Sequence, residues 1–339
     1  MKSAPRIVLW LAASLAAAVA SASANAPHAL PPAAASTSPP STAAESASAS
    51  SLFASPTQPD RSGRVVAAVI LDGKGPFRFL LDSAADASMI SPRLVSLLSL
   101  PLIQDKVIRV EGATGVQELP WVNVSRLQVG GLVRTDVRMP LVDGAVLQGL
   151  DGILGMAGLG AGHVEVDFAH DRVWIDNSAL RNTNGYLVIP ATRTAGGLLQ
   201  VNARIGGIPV AAVIDTGASN TLGNAALRAA LLDQMSSDES PARVFGVTRQ
   251  IAPGGAIRSP TIALGPIAIQ HLHIVYTHVA IFKVWNLERR PAAIIGMDVL
   301  GSVSALVLDY GRSRILLLPR AAPVPTTADN RTRRASLFR

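Results

Sequence analysis

One succession of residues occurs twice in this chain, and the duplication limits its fold more than any other feature. Residues 65–70, the turn Asp72-Gly73-Lys74-Gly75 and residues 77–82 read as a β-hairpin whose second strand ends in Asp82. Residues 201–205, Gly206-Gly207 and residues 208–215 read as the same hairpin 133 positions later, ending in Asp215. Each aspartate is followed by a hydroxyl residue and small residues, Asp82-Ser83-Ala84-Ala85 and Asp215-Thr216-Gly217-Ala218, then by a short helical stretch, 92–98 and 225–232. Three more blocks recur in the same order. Arg109-Val110-Glu111-Gly112-Ala113-Thr114 matches Arg243-Val244-Phe245-Gly246-Val247-Thr248 at an offset of 134. Ile153-Leu154-Gly155-Met156 matches Ile294-Ile295-Gly296-Met297 at 141, and Asp167-Phe168 with 172–175 matches Asp309-Tyr310 with 314–317 at 142. A slow drift of the offset is what loop insertions between two copies of one unit produce. Short aliphatic runs broken by Gly and Pro make that unit a β structure, so the expectation is an all-β fold of two similar lobes about a pseudo-twofold axis, with few short helices.

The copies do not fill the chain. Residues 1–26 read as a secretory signal: Lys2 and Arg6, an uncharged run over 7–20, and small residues offering cleavage after Ala24 or Ala26. That run is shorter than the roughly 20 residues a spanning helix needs, so cleavage and export to the periplasm or the medium are expected, with no membrane span left afterwards. Residues 27–60 are a Pro, Ala, Ser and Thr spacer with too few large apolar side chains to order itself. The lobes then occupy 61–178 and 197–320, joined by a linker over 179–196, and a basic tail covers 321–339. The apolar run 292–308 is interrupted by Gly296, Asp298 and Gly301, which favours buried strands joined by a turn over a second span.

The chain has no cysteine, which removes disulfide frameworks, thiolate nucleophiles and cysteine-ligated zinc and leaves oxygen and nitrogen groups to carry any chemistry. The formal charge is +7, but Lys2 and Arg6 lie in the leader and Arg331, Arg333, Arg334 and Arg339 in the tail. The body without those six carries about +1, which is not a nucleic-acid footprint. The tail reads as a solvated end, with an anionic membrane surface as the alternative contact. His271 and His273 fall on one face of an expected strand, with His278 nearby, but no carboxylate is spaced to complete a zinc set. Neither metal nor cofactor is expected. Asp167 and Asp309 each open a turn before a closing strand and read as structural.

Taken together, the duplicated blocks resemble the pepsin and retropepsin-like aspartic proteases, and are closest in pattern to bacterial retropepsin-like aspartyl proteases. Asp215-Thr216-Gly217-Ala218-Ser219 after an apolar strand is similar to the family's catalytic loop, and Ile294-Ile295-Gly296 to the element that crosses it. The likeness spans about 61–320. It implies a bilobal protein with one catalytic aspartate per lobe, Asp82 and Asp215, and a cleft between them for extended polypeptide. It further implies that Ser83 and Thr216 interlock across the axis to orient the carboxylates, within loops that Ala84 and Gly217 complete. Gly155 and Gly296 become the loop-crossing glycines. Gly112, Gly115 and Gly246 fall where retropepsins carry a flap, a mobile hairpin that closes over substrate. A candidate in each half, neither with a tyrosine, suits a retropepsin-like pair better than the single tyrosine-bearing flap of pepsins; ordinary hairpin turns are the alternative.

The chemistry explains why two such loops are needed. Carboxylates about 3 Å apart cannot both ionise, so they share a proton, and one serves as base while the other serves as acid. Such a pair titrates as a unit, which leaves the two roles unassigned between Asp82 and Asp215. Ala84 departs from the expected glycine, so its methyl group either displaces Asp82 or is accommodated with ordinary backbone angles. Asp86 aligns with Ser219 and adds a carboxylate near the pair; a solvated turn residue is the plainer reading. The expected function is an exported aspartic endopeptidase, with a monomer favoured and pairing of lobes across a dimer left open. The alternatives are a lobe pair that has lost the chemistry and binds a peptide or envelope partner, and a structural envelope protein with a cationic tail.

Overall fold

The structure is a computed structural model. It describes residues 63–320 except 104, 105, 157–161, 179, 181 and 195, together with the backbone of short strands at 8–10, 16–19 and 55–56. The rest of the expected leader and spacer, and the tail from 321, lie outside the described residues.

Each half is built on the hairpin that its sequence announces. Val66–Leu71 and Lys74–Asp82 pair antiparallel around Asp72-Gly73, both at positive φ, which these two residue types tolerate best. Leu199–Ile205 and Ile208–Ile214 form the counterpart around Gly206-Gly207. A short strand then runs parallel to the end of each hairpin: Gly152–Gly155 beside 79–82, and Ala292–Ile295 beside 211–214. Parallel strands buried on both faces read as continuous apolar runs, and all four residues of each are buried. The short helices also match. Ser91 caps Pro92–Leu98 by accepting from the Leu94 N–H, and Asn224 caps Ala225–Ala230 by accepting from the Leu227 N–H.

A third group of strands joins the halves. His163–Asp167 pairs antiparallel with Ala305–Asp309, the equivalent strand of the other copy, and their middle residues Glu165 and Val307 lie opposite each other. The local twofold therefore passes between those two residues. Arg172–Asp176 and Arg314–Leu318 flank the central pair. The segment expected as a linker supplies a further strand, Leu187–Arg193, which pairs with both Arg314–Leu318 and Leu199–Ile205. Val164, Val166, Leu306 and Leu308 put their side chains into a single apolar core that also takes Leu81 and Ile214 from the two hairpins. The fold is all-β with two similar lobes.

Two local expectations change. The run 292–308 contains a helical turn, Met297–Leu300, between its strands. His271 lies in a turn at φ +64°, ahead of the strand His273–Thr277, so the two histidines do not share a strand face. No helix among the described residues is long and apolar enough to cross a membrane. Because Leu308 is fully buried in the central inter-lobe strand, Leu308→Ala is expected to lower the unfolding free energy by about 2–5 kcal/mol in urea denaturation.

Candidate active site

The loops after the two hairpins meet at the lobe boundary and are tied by reciprocal hydrogen bonds. Ser83 Oγ donates to the Ile214 carbonyl at 2.8 Å, and Thr216 Oγ1 donates to the Leu81 carbonyl at 2.7 Å. Each hydroxyl also accepts a backbone N–H from the opposite loop: Thr216 N to Ser83 Oγ at 3.0 Å, and Ser83 N to Thr216 Oγ1 at 3.1 Å. Each hydroxyl thus acts as donor and acceptor at once, a use that only Ser and Thr can make of one short side chain. Ser83 and Thr216 are fully buried, so these four bonds are shielded from water.

The same loops bring Asp82 and Asp215 together. Both are completely buried. Asp215 Oδ1 accepts from the N–H groups of Gly217 and Ala218 at 2.8 and 3.1 Å, and Asp82 Oδ1 accepts from Ala84 N–H at 2.9 Å. The Asp82 carboxyl lies close enough to Asp215 to act on its proton affinity. It also packs on the Gly217 backbone so closely that a Cβ there would lie 2.6 Å from Asp82 Cγ. Burial pushes Asp215 up to about 7, against the lowering effect of its two backbone donors, of Asp82 and of the Arg64 guanidinium.

Ala84 is accommodated. It is fully buried, keeps a negative φ, and its methyl group joins an apolar cluster with Ala113, Leu198, Val213 and Ala218. Gly155 and Gly296 back the loops: a Cβ on Gly155 would lie 2.3 Å from the Ala87 carbonyl oxygen, and one on Gly296 would lie 2.6 Å from the Asn220 carbonyl carbon. Asp86 is partly buried on the first loop.

Two hairpins close over the carboxyls. Ile108–Gly112 and Gly115–Leu119 form one; Glu239–Phe245 and Ile251–Arg258 form the other. Their tips touch. Thr114 Oγ1 and Thr248 Oγ1 are 2.7 Å apart, and the Arg249 N–H donates to Gln117 Oε1 at 3.1 Å. Gly112 and Gly246 let the tips approach: a Cβ on Gly112 would meet Val247 Cγ2 at 3.0 Å, and one on Gly246 would meet Thr114 Oγ1 at 2.8 Å. Each tip also crosses the boundary. Ala113 of the first hairpin packs into the apolar cluster of the second lobe, while Val247 packs with Ile108, Val110 and Ala85 of the first.

A family model described as aspartyl protease matches the chain twice, over residues 66–157 and 201–299. The chain belongs to the aspartyl protease family. Each of the two matches contains one hairpin ending at Asp82 or Asp215, one of the two hairpins that meet at their tips, and Gly155 or Gly296, so the family's retropepsin-like unit is present in duplicate. No curated protein matches the chain significantly.

In this family member the sequence-predicted residues Asp82, Ser83, Ala84, Thr216 and Gly217 converge on one point, Gly155 and Gly296 lie behind it, and Gly112, Gly115 and Gly246 lie at the flap tips. His271, His273 and His278 do not join them, and among the described residues no three His, Asp or Glu side chains are placed to hold a metal ion. Asp167 and Asp309 hold turns: Asp167 accepts from Ala169 and His170 N–H, and Asp309 from Arg312 N–H and Arg314 Nε. Sequence reasoning passed over Arg64 and Tyr310, both fully buried and both within electrostatic reach of the carboxyls. Counting back along the hairpin register from Asp82 is the signal that would have found Arg64.

Two outcomes follow from this packing. Gly217→Ala drives a methyl group into the Asp82 carboxyl and is expected to destabilise by more than about 2 kcal/mol in denaturant, whereas Ala84→Gly changes stability by about 1 kcal/mol or less. Asp215 holds its proton more tightly folded than unfolded, so the unfolded state releases that proton first, and stability falls as pH rises from about 4 to about 7. Asp215→Asn removes that slope. Its melting temperature should exceed that of the wild type by about 4–8 °C at pH 7.5 and match it at pH 4.

Proposed function

We propose that this protein is an exported endopeptidase that cleaves extended polypeptide with a water molecule activated by Asp82 and Asp215. The observation that carries the reading is the convergence of two fully buried carboxyls from duplicated, cross-tied loops, each oriented by backbone N–H donors. One ionised and one protonated carboxyl form a base and an acid in one place. The ionised group takes a proton from water as its oxygen attacks the scissile carbonyl carbon, and the protonated group gives its proton to the carbonyl oxygen. Collapse of the tetrahedral diol breaks the C–N bond: the nitrogen leaves with the proton first taken from water, while the carboxylate that gave up its proton takes one back from a diol hydroxyl, which leaves the product carboxyl and restores the dyad.

The cross-lobe hydroxyl bonds support this by fixing both carboxyls before substrate arrives, so little reorganisation is needed at the reacting centre. The flaps support it by burying the dyad; their contact through Thr114 and Thr248 implies that they part to admit substrate and close to exclude water. An extended substrate suits a site roofed by two hairpins, since its backbone can pair with their edges. Ala84 was the feature that suggested lost chemistry, and its packing into the neighbouring apolar cluster favours the catalytic reading over a purely binding role.

Purified protein is expected to cleave unfolded casein between pH 3 and 7 and to bind statine-type inhibitors. Asp82→Asn and Asp215→Asn should each reduce cleavage at least about 10³-fold while near-UV circular dichroism stays native. Cleavage retained by either variant refutes the mechanism.

A further inference from the structure

The two halves differ in charge directly beside the dyad. In the first hairpin Val66 lies opposite Leu80, and the Leu81 N–H donates to the Val65 carbonyl at 2.9 Å. Continuing this register brings Arg64 opposite Asp82, on the face that also carries Val66 and Leu80. In the second hairpin Gln200 lies opposite Val213, so the same continuation brings Leu198 opposite Asp215. Arg64 is fully buried, and Leu198 is buried with Ala211 and Val213 in an apolar cluster. The extended register therefore sets an arginine across from one aspartate and a leucine across from the other.

An arginine stays protonated in any protein environment, and a buried cation favours the charged form of a carboxyl beside it. Apolar packing favours the neutral form. We propose that Arg64 breaks the equivalence of the dyad, so that Asp82 carries the negative charge and acts as base while Asp215 holds the proton and acts as acid. This assignment rests on the dyad reading above and deepens it. Arg64 acts through Asp82 and is a positioning residue for the dyad's proton. The other groups around the pair are consistent with it. Tyr310 is buried with its hydroxyl unpartnered among the described residues and lies within electrostatic reach of both aspartates. Arg193 sits over the Tyr310 ring, 5.7 Å from its centroid. Asp86, the remaining carboxylate of the first loop, is partly buried. Arg64 also lowers the proton affinity of Asp215, so its loss raises that of the pair as a whole.

Two measurements test this. In the pH profile of kcat/KM on unfolded casein, Arg64→Met is expected to move both limbs to higher pH by about one unit, a tenfold rise in proton affinity, and Arg64→Lys to restore them. Limbs that stay in place in Arg64→Met overturn the proposal, because a merely structural role lowers the rate without moving them. Independently, carboxyl ¹³C NMR of aspartate-labelled wild-type protein follows the dyad without activity or an Arg64 variant. The resonance lost in Asp82→Asn should titrate at lower pH than the one lost in Asp215→Asn. Equal or reversed midpoints overturn the assignment even if Arg64→Met fails to fold. If no variant and no wild-type protein cleaves casein, the catalytic reading fails alone, and the NMR order still decides the role of Arg64.

Discussion

Two carboxyl groups are held against each other out of water, and much of the architecture serves to make that arrangement tolerable. Like charges in a dry site repel strongly, so the pair is stable only if one member stays protonated and donors hold the carboxyls in place. Backbone N–H groups of 84, 217 and 218 provide donors, and the four reciprocal bonds of Ser83 and Thr216 stop the loops from moving apart to relieve the repulsion. Each of the four reciprocal bonds joins residues more than 130 positions apart. Local structure cannot supply this; it requires both lobes folded and docked.

Docking is secured far from the dyad as well as at it. The central pair of equivalent strands, 163–167 and 305–309, continues the hydrogen-bonded ladder across the boundary, and their apolar side chains share a core with Leu81 and Ile214 just before the aspartates. On the opposite side the flap tips exchange Ala113 and Val247 between lobes. The floor is a continuous sheet with a buried core, while the roof is a short contact of two hydroxyls, one backbone hydrogen bond to Gln117 and a few apolar side chains. On the proposed function, the roof is the side that opens.

Much of this was legible in the sequence, because repetition separates signal from coincidence. A single Asp-Thr-Gly after a strand fits many β proteins, but the repeated hairpin, aspartate, flap and crossing glycine fixed Asp82, Asp215, Gly155 and Gly296 together. What escaped notice depends on pairing across a turn or between lobes. Arg64 sits 18 positions before Asp82 and meets it only through the register of one hairpin. Leu187–Arg193 looks like a connector because its partners lie in distant strands. His271 and His273 seemed to alternate on a strand, but the strand begins only at His273. Ala84 is the reverse case: a local rule demanded glycine, and the neighbouring lobe supplied room for a methyl group.

Four differences between the two copies lie on or beside the dyad loops: Ser83 against Thr216, Ala84 against Gly217, Asp86 against Ser219 and Arg64 against Leu198. In a symmetric pair of identical chains, any residue that favours ionisation of one aspartate acts equally on the other, and the shared proton has no preferred side. Fusion into one chain lifts that restriction. Gly217 stays glycine because Asp82 lies on it, Ala84 can gain a methyl group because its own environment is apolar, and a cation can be placed on one side only. On the proposed assignment, this asymmetry is the physical means by which a duplicated fold gives its two aspartates different work.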